Sequence, residues 1–251
     1  MITKEALQKL ATQYQTGLFP NIVREYFQHV FLNELYKLPQ SQNLLFKGGT
    51  ALRIVYGSPR FSEDLDFSAF KVTGHTIKKY VEDLFVHILA EIERMGIRVE
   101  VGEKSDKTTG GYFGVTTFKM QDYEPVEVEI NISARNGREI NGEVDSIAND
   151  FAPTYTLIHL PQEELVEEKI FGALLERKKP RDFYDLYFMM RKNMLSMEHK
   201  KKLKEVKVRI LTNARTIDFR GELGAFLPVS QQAIIRDFHR ALEAELDRQV
   251  M

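Results

Sequence analysis

In the first part of the chain, apolar residues recur three and four positions apart, which is the spacing of an amphipathic helix. This spacing predicts two helices over residues 3–36, separated by the segment Gly17–Pro20, and a longer helix over residues 75–95. Between them, the apolar run Asn43–Phe46 precedes Lys47-Gly48-Gly49-Thr50. That order predicts a short strand, a glycine turn and the start of a helix.

Strand-like alternation of β-branched residues dominates the middle of the chain and predicts an antiparallel meander over residues 97–104, 112–119 and 126–132. Beyond Pro153 the spacing is helical again, over residues 162–177, 183–192, 198–213 and 229–249. We therefore expect an α+β protein with an α/β-type N-terminal lobe. A mixed-sheet core with flanking helices would occupy residues 1–154, with a helical N-terminal segment over 1–40, and a helical bundle would occupy residues 155–251.

Composition narrows the class of protein. Of the 251 residues, 43% are hydrophobic and 28% are charged, as in ordinary soluble proteins. The chain has no cysteine, which excludes disulfides, thiol catalysis and cysteine-ligated metals. It also has no apolar run near the length of a membrane span and no segment typical of a signal peptide. We expect a cytoplasmic protein with no membrane partner.

Charge is distributed unevenly along the chain, although 35 basic and 36 acidic side chains nearly cancel. Residues 1–168 carry a net charge of −8, residues 169–220 carry +9, and residues 221–251 carry −2. An acidic part is therefore followed by a basic one. This asymmetry keeps a nucleic-acid or nucleotide partner open despite the neutral total.

Asp64 and Asp66 are the first candidates for chemistry. In a strand they would share one face, while Leu65 and Phe67 would point into the core. Two neighbouring carboxylates repel each other unless a cation lies between them, and Mg²⁺ prefers such oxygen ligands. On its own, such a pair is more often found on a solvated strand than at a metal site.

Two other segments favour a catalytic interpretation. Gly48-Gly49-Thr50 opens a helix, where glycine backbone and unpaired N–H groups suit phosphate oxygens. Glu127 and Glu129 share a face of a later strand, and either would supply a third carboxylate. One or two Mg²⁺ ions held by such a set stabilise the oxygens of a phosphoryl displacement.

As a set, these motifs resemble the polymerase-β-type nucleotidyltransferase superfamily. Gly-Gly-Thr is followed, after 13 residues, by the Asp64-Leu65-Asp66 motif and later by an acidic residue on a strand. Four stretches are more similar still to the AbiEii/AbiGii toxin family, the nucleotidyltransferase component of type IV-like toxin–antitoxin systems: Lys47–Arg53, Arg60–Phe67, Glu164–Lys169 and Arg177–Leu186.

The resemblance implies a nucleotidyltransferase core in the first lobe and transfer of a nucleoside monophosphate from an NTP to an acceptor, with pyrophosphate leaving. An RNA such as a tRNA 3′ end is the implied acceptor, and a cognate antitoxin is the implied protein partner. Asp64 and Asp66 would ligate Mg²⁺, and Glu129 would ligate the metal or take the acceptor proton, with Glu127 as the alternative. Triphosphate oxygens would be held by Gly48, Gly49 and Thr50.

The resemblance further implies a catalytic and phosphate-binding role for Lys169 and nucleotide contacts by Arg60, Ser62, Arg177, Arg181, Asp182 and Asp185. Most of these residues have a structural alternative. Lys169 and Arg177 would share a solvated helix face, and Asp182 would cap the helix that follows Pro180. Arg181 and Asp185 would pair with each other.

Two other function classes remain open. One is a non-catalytic nucleotide- or RNA-binding module on the same fold. The carboxylates argue against a non-catalytic module, because acidic side chains that converge on one site repel one another unless a metal ion is bound there. The other is a small-molecule nucleotidyltransferase of the kind that acts on antibiotics.

Overall fold

The computed structural model describes residues 2–103, 111–119, 123–135 and 139–250. The chain forms two compact units. The first unit comprises Met1–Tyr14, Leu18–Gly57 and Phe61–Leu160, and the second comprises Gln15–Gly17, Ser58–Arg60 and Pro161–Met251. The chain thus enters the second unit twice, briefly, before it remains there.

A seven-stranded mixed sheet forms the centre of the first unit, in the order β3-β4-β5-β2-β1-β7-β6. The strands are β1 (Leu44–Lys47), β2 (Leu65–Ala69), β3 (Arg98–Glu103), β4 (Gly111–Lys119), β5 (Val126–Ala134), β6 (Glu143–Ile147) and β7 (Tyr155–His159). β2 pairs antiparallel with β1 and parallel with β5, and β1 pairs parallel with β7. The strand that carries Asp66 therefore lies in the middle of the sheet.

Four α-helices of the first unit are α1 (Lys4–Gln13), α2 (Phe19–Leu35), α3 (Gly48–Ile54) and α4 (Ile77–Arg94). α2 is buried on most of its surface because it packs between the sheet and α4. Phe27 stacks on Phe118 of β4 at 4.6 Å between ring centroids, and Phe31 meets Phe85 of α4 edge-on at 5.6 Å. These aromatic contacts fix α2 against both neighbours.

The two N-terminal helices, the strand–turn–helix at residues 44–54, the helix near residues 75–95 and the antiparallel meander are confirmed. The end of the sheet differs from the prediction. β6 and β7 lie in segments that the sequence did not mark as strands, so the boundary between the units falls after Leu160 rather than after residue 154. β6 was missed because four of its five residues are exposed and it shows no apolar alternation.

The second unit is helical. Its elements are α5 (Gln162–Glu167), a π-helical segment (Glu168–Leu174), α6 (Leu175–Arg177), α7 (Pro180–Arg191), α8 (Met197–Ala214), α9 (Arg220–Phe226), a 3₁₀ segment (Val229–Asp237) and α10 (Phe238–Val250). The predicted helix over residues 162–177 is thus interrupted. A π-helix widens the turn, so Lys169 and Arg177 are not related by the regular spacing that the sequence suggested. Among the described residues, no helix has the length and apolarity needed to cross a bilayer.

Polar side chains are buried between α2 and its neighbours. Arg53 of α3 makes a two-point contact with Glu25 of α2, Nε to Oε1 at 2.9 Å and Nη2 to Oε2 at 2.8 Å. Burial raises the pKa of Glu25 although Arg53 opposes that shift. His29 Nδ1 lies 2.9 Å from the Tyr155 hydroxyl, and burial, aided by Arg53, lowers the pKa of His29 to about 3.

The buried His29 makes stability depend on pH. The unfolded chain takes up a proton near the ordinary pKa of 6.5, whereas the folded chain does not until about 3. The contribution of His29 to the free energy of unfolding is therefore fully present above pH 6.5 and falls as the pH is lowered. Between pH 7 and pH 5 we expect His29 to account for a loss of about 2 kcal/mol in the free energy of unfolding. Urea denaturation of His29→Gln should lack this loss, whereas the exposed His87→Gln should retain it.

Candidate active site

Asp66 lies on the partly exposed face of β2, directly beside Lys47 of β1 and Asn131 of β5. Leu65 and Phe67 are buried at 0% and 1% exposure, as the alternation predicts. Asn131 donates a hydrogen bond from Nδ2 to Asp66 Oδ1 at 3.3 Å. One carboxylate oxygen is therefore oriented by the protein's own amide group. The sequence did not single out Asn131, because nothing in an alternating strand marks which polar residue faces Asp66.

Gly48 lies against the other oxygen of Asp66. A Cβ atom at position 48 would lie 2.2 Å from Asp66 Oδ2 and 2.9 Å from Asp66 Cβ. Its φ of +85° is also one that residues with a side chain rarely adopt. Glycine is therefore required here on two grounds, and the turn brings its backbone close to the carboxylate.

The segment before β2 is held by groups from α2 and α3. The Gln28 amide donates to the carbonyls of Ser62 and Glu63 at 3.0 and 3.1 Å. The Thr50 hydroxyl donates to the Asp64 carbonyl. Thr50 is fully buried, so its hydroxyl holds the protein's own backbone, and a phosphate contact at this residue would come from its N–H. Gln28 was not predicted; its only signal is an amide on a helix that is otherwise largely apolar.

Ser62 and Asp64 are both partly exposed and lie in the irregular segment before β2, so Asp64 is just outside the strand in which it was predicted. On β5, Glu129 is partly exposed and precedes Asn131 by one alternation, whereas Glu127 is exposed and one step farther away. Of the two glutamates, Glu129 is thus nearer along the strand to the residue beside Asp66. Among the described residues, however, no three acidic or histidine side chains are arranged to hold a metal ion together.

In the second unit, Asp185 is completely buried and bound by two cations. Arg60 contacts its two oxygens from Nε at 2.9 Å and Nη2 at 3.1 Å, and Lys169 Nζ lies 2.7 Å from Oδ2. Burial alone would lower the pKa of Arg60 and raise that of Asp185, but their contact reverses both directions. Arg60 is itself 2% exposed. These three predicted nucleotide ligands therefore form a buried ion cluster.

The remaining predicted residues also have protein partners. Asp182 accepts a hydrogen bond from the Lys179 N–H at 3.3 Å, which caps α7, and contacts Arg177 Nη2 at 2.7 Å. The structural alternative for Asp182 is thus present. Arg181 lies 3.4 Å from Glu222, whereas Asp185 is held by the other two cations, in place of the pair predicted between Arg181 and Asp185.

Much of the positive charge of residues 169–220 is offset locally. Acidic side chains outside that segment contact its cations in the pairs Arg181–Glu222, Arg191–Glu245, Lys202–Glu167, Lys207–Asp247 and Arg215–Glu243. By sequence, the first unit carries a net charge of −5 and the second +4. The asymmetry therefore persists between the units but is smaller than the linear segments suggested.

Comparison with known proteins identifies the family. Residues 30–249 match the family model described as "Nucleotidyl transferase AbiEii toxin, Type IV TA system". The chain belongs to this family. It is accordingly a nucleotidyltransferase, and the glycine turn beside Asp66 lies within the matched region. No curated protein sequence matches the chain.

Two solved structures from Helicobacter pylori share the fold of this AbiEii-family chain. One is a candidate nucleotidyltransferase, 18% identical, with a TM-score of 0.63 over 99% of this chain and 96% of the other. The second is the protein JHP933, 18% identical, with a TM-score of 0.64 over 100% and 94%. In both comparisons the matched region spans nearly the whole of each chain, so the structural similarity includes both units.

Gly48→Ala tests the close approach to Asp66. We expect it to abolish most nucleotidyl transfer and to lower the free energy of unfolding by more than Gly57→Ala does. Gly57 has a similar φ of +73° but no atom within 4 Å of an added Cβ, so its substitution costs only the backbone strain of about 1 kcal/mol. Equal stability and activity of the two variants would contradict the steric argument.

Asp185→Asn tests the buried ion cluster. Removing the anion leaves two buried cations uncompensated, and we expect a loss of about 3 to 5 kcal/mol in the free energy of unfolding. Adding Lys169→Met to Asp185→Asn should recover part of it, and the exposed Asp237→Asn should stay within about 0.5 kcal/mol of the unchanged chain. If Asp185→Asn unfolded at the same denaturant concentration as the unchanged chain, the cluster would have no structural role.

Proposed function

We propose that the chain transfers a nucleoside monophosphate from an NTP to an RNA acceptor, such as a tRNA 3′ end, in a reaction that depends on Mg²⁺. The observation that carries the proposal is the Asp66 carboxylate, held between a glycine turn and the Asn131 amide, with Asp64 two residues earlier in the chain. A turn without a side chain next to carboxylates lets a triphosphate approach the metal ligands closely.

The residues present fit Mg²⁺. This ion is usually bound by one or two carboxylates together with substrate phosphates and water, rather than by a complete cage of protein ligands. Asp64 and Asp66 would supply two carboxylates for such a partial set. When bound, Mg²⁺ would neutralise charge on the phosphate oxygens.

The chain's own groups would then orient the reaction. An acceptor hydroxyl oxygen forms a bond to the α-phosphorus, the bond from that phosphorus to the β-phosphate oxygen breaks, and pyrophosphate leaves. Glu129 is our candidate to take the hydroxyl proton, since it lies on the same strand as Asn131 and points to the same face. Gly48, Gly49 and the Thr50 N–H are the candidates for the triphosphate.

The second unit contributes less directly in this proposal. Lys169 is the least buried member of the Asp185 cluster, with its side chain 10% exposed, and Arg177 is about half exposed. The candidates for phosphate contact remain Lys169, Arg177, Ser62 and Arg181. Asp185, together with Arg60, would position Lys169, and Asp182 would position Arg177. A cognate antitoxin and a cytoplasmic location are further parts of the proposal, and both follow from the family.

Transfer of labelled nucleotide tests the function. The protein is incubated with each labelled NTP, total tRNA and Mg²⁺, and the RNA is separated on a denaturing gel. We expect labelled tRNA with the unchanged chain and at least a hundredfold less with Asp64→Asn or Asp66→Asn, because each removes one metal-binding charge.

Asp83→Asn is the matched control, since it removes an exposed aspartate from α4 of the same unit and should leave transfer unchanged. Full activity in the Asp66 variant would contradict the proposed catalytic set. Label transferred to a small molecule but not to RNA would favour an antibiotic-type transferase. Binding of NTP without Mg²⁺ and without transfer would favour a non-catalytic module.

A further inference from the structure

Four adjacent strands carry a straight row of side chains through the candidate active site. The strand registers pair Lys47 with Asp66, Asp66 with Asn131 and Asn131 with Phe113. Residues that are paired across neighbouring strands point to the same face of the sheet. The row therefore runs from a cation, through the candidate metal carboxylate and an amide, to an aromatic ring.

A cleft of about 360 Å³ lies along this row. All four members line it, together with Ser133 and others of β4 and β5. The proposed reaction uses Asp66, its glycine turn and the Asn131 amide that orients Asp66. It gives no role to the other polar and aromatic side chains that line the cleft on β4 and β5, Phe113 and Ser133 among them.

The position of Phe113 distinguishes it from the core aromatic residues. It is partly exposed, whereas its sequence neighbour Tyr112 is buried on the opposite face at 9% exposure. Adjacent strands are separated by about 4.8 Å, so Phe113 is displaced from Asp66 by roughly 10 Å across the sheet.

The polar groups between Asp66 and Phe113 also suit a nucleotide. Asn131 and Ser133 offer amide and hydroxyl groups at the floor, where they can contact ribose or the edge of a base. The Lys47 side chain reaches from β1 to β5, where its ammonium lies 3.3 Å from Ser133 Oγ and adds positive charge to the floor of the cleft.

We propose that this cleft is a nucleobase subsite in which a base stacks on Phe113 while its nucleotide extends toward Asp66. The inference rests on the proposed function for what happens at Asp66. The base belongs either to the NTP or to the terminal nucleotide of the RNA acceptor. Stacking on an aromatic side chain accepts any base, so Phe113 supplies affinity rather than base preference.

Tryptophan fluorescence provides the most direct test, because the chain contains no tryptophan. Phe113→Trp introduces a single fluorophore at the subsite. We expect its emission to be quenched on titration with either an NTP or a short single-stranded oligoribonucleotide, in the presence of Mg²⁺. Phe19→Trp is the matched control, since Phe19 is another partly exposed phenylalanine of the first unit that does not line the cleft, and its emission should not change.

Affinity measured by calorimetry completes the test. Phe113→Leu should weaken binding of the NTP, the oligoribonucleotide or both about 5- to 100-fold, the range of base–aromatic stacking. Phe113→Tyr and Phe19→Leu should bind both probes as the unchanged chain does. A loss confined to the NTP assigns the subsite to the NTP base, and a loss confined to the oligoribonucleotide assigns it to the acceptor.

Unquenched Phe113→Trp together with unchanged affinity of Phe113→Leu for both probes would overturn the inference. These binding measurements are independent of transfer. If the chain transfers nucleotides but Phe113 has no effect on binding, the subsite is wrong and the proposed function stands. If binding depends on Phe113 but no transfer occurs, the subsite stands and the proposed function is wrong.

Discussion

The contact between the Asp66 carboxylate and the bare Cα of Gly48 is the constraint on which the candidate site depends. β2 lies between β1 and β5, so the register of both pairings determines what surrounds Asp66. A shift of one residue in either pairing would move the carboxylate to the buried face, because side chains alternate along a strand. Burial of Leu65 and Phe67 opposes that shift, and the Thr50 hydroxyl and Gln28 amide hold the chain just before β2. Hydrophobic packing on one face of the strand thus positions the polar chemistry on the other.

The second unit places its charges differently. Two cations surround Asp185 in an almost fully buried cluster, an arrangement whose desolvation is costly and whose contribution to stability is small when complete. Such a cluster fixes geometry more than it stabilises. Lys169 belongs to a π-helical segment, and such segments are uncommon and frequently occur at functional sites. The contact with Asp185 and the π-helical turn together hold the Lys169 side chain at the edge of the buried cluster. The Lys169 ammonium is therefore held in one orientation.

Much of the fold follows from patterns within single segments, and the features that the sequence left out depend on contacts between segments. Alternation in residues 126–132 predicts β5, and the Gly48-Gly49 pair predicts the turn, because burial and backbone freedom act locally. Alternation does not reveal register, so it identified Glu127 and Glu129 together but not Asn131 as the neighbour of Asp66. β6 is largely exposed and joins the sheet through pairing with β7, which no local signal encodes. The π-helical segment has the apolar spacing of an ordinary helix, so its wider turn was equally hidden.

A metal bound by Asp64 and Asp66, as proposed, would have a consequence for how the substrate binds. Both side chains are partly exposed, so water would screen their mutual repulsion when no ion is bound. An ion held by two protein oxygens gains its remaining ligands from the triphosphate and water. Metal and NTP should therefore strengthen each other's binding, by the same factor in either order. In the proposed site, the glycine turn would admit the phosphates next to the metal, and Asn131 fixes one oxygen of the Asp66 carboxylate that would bind the metal.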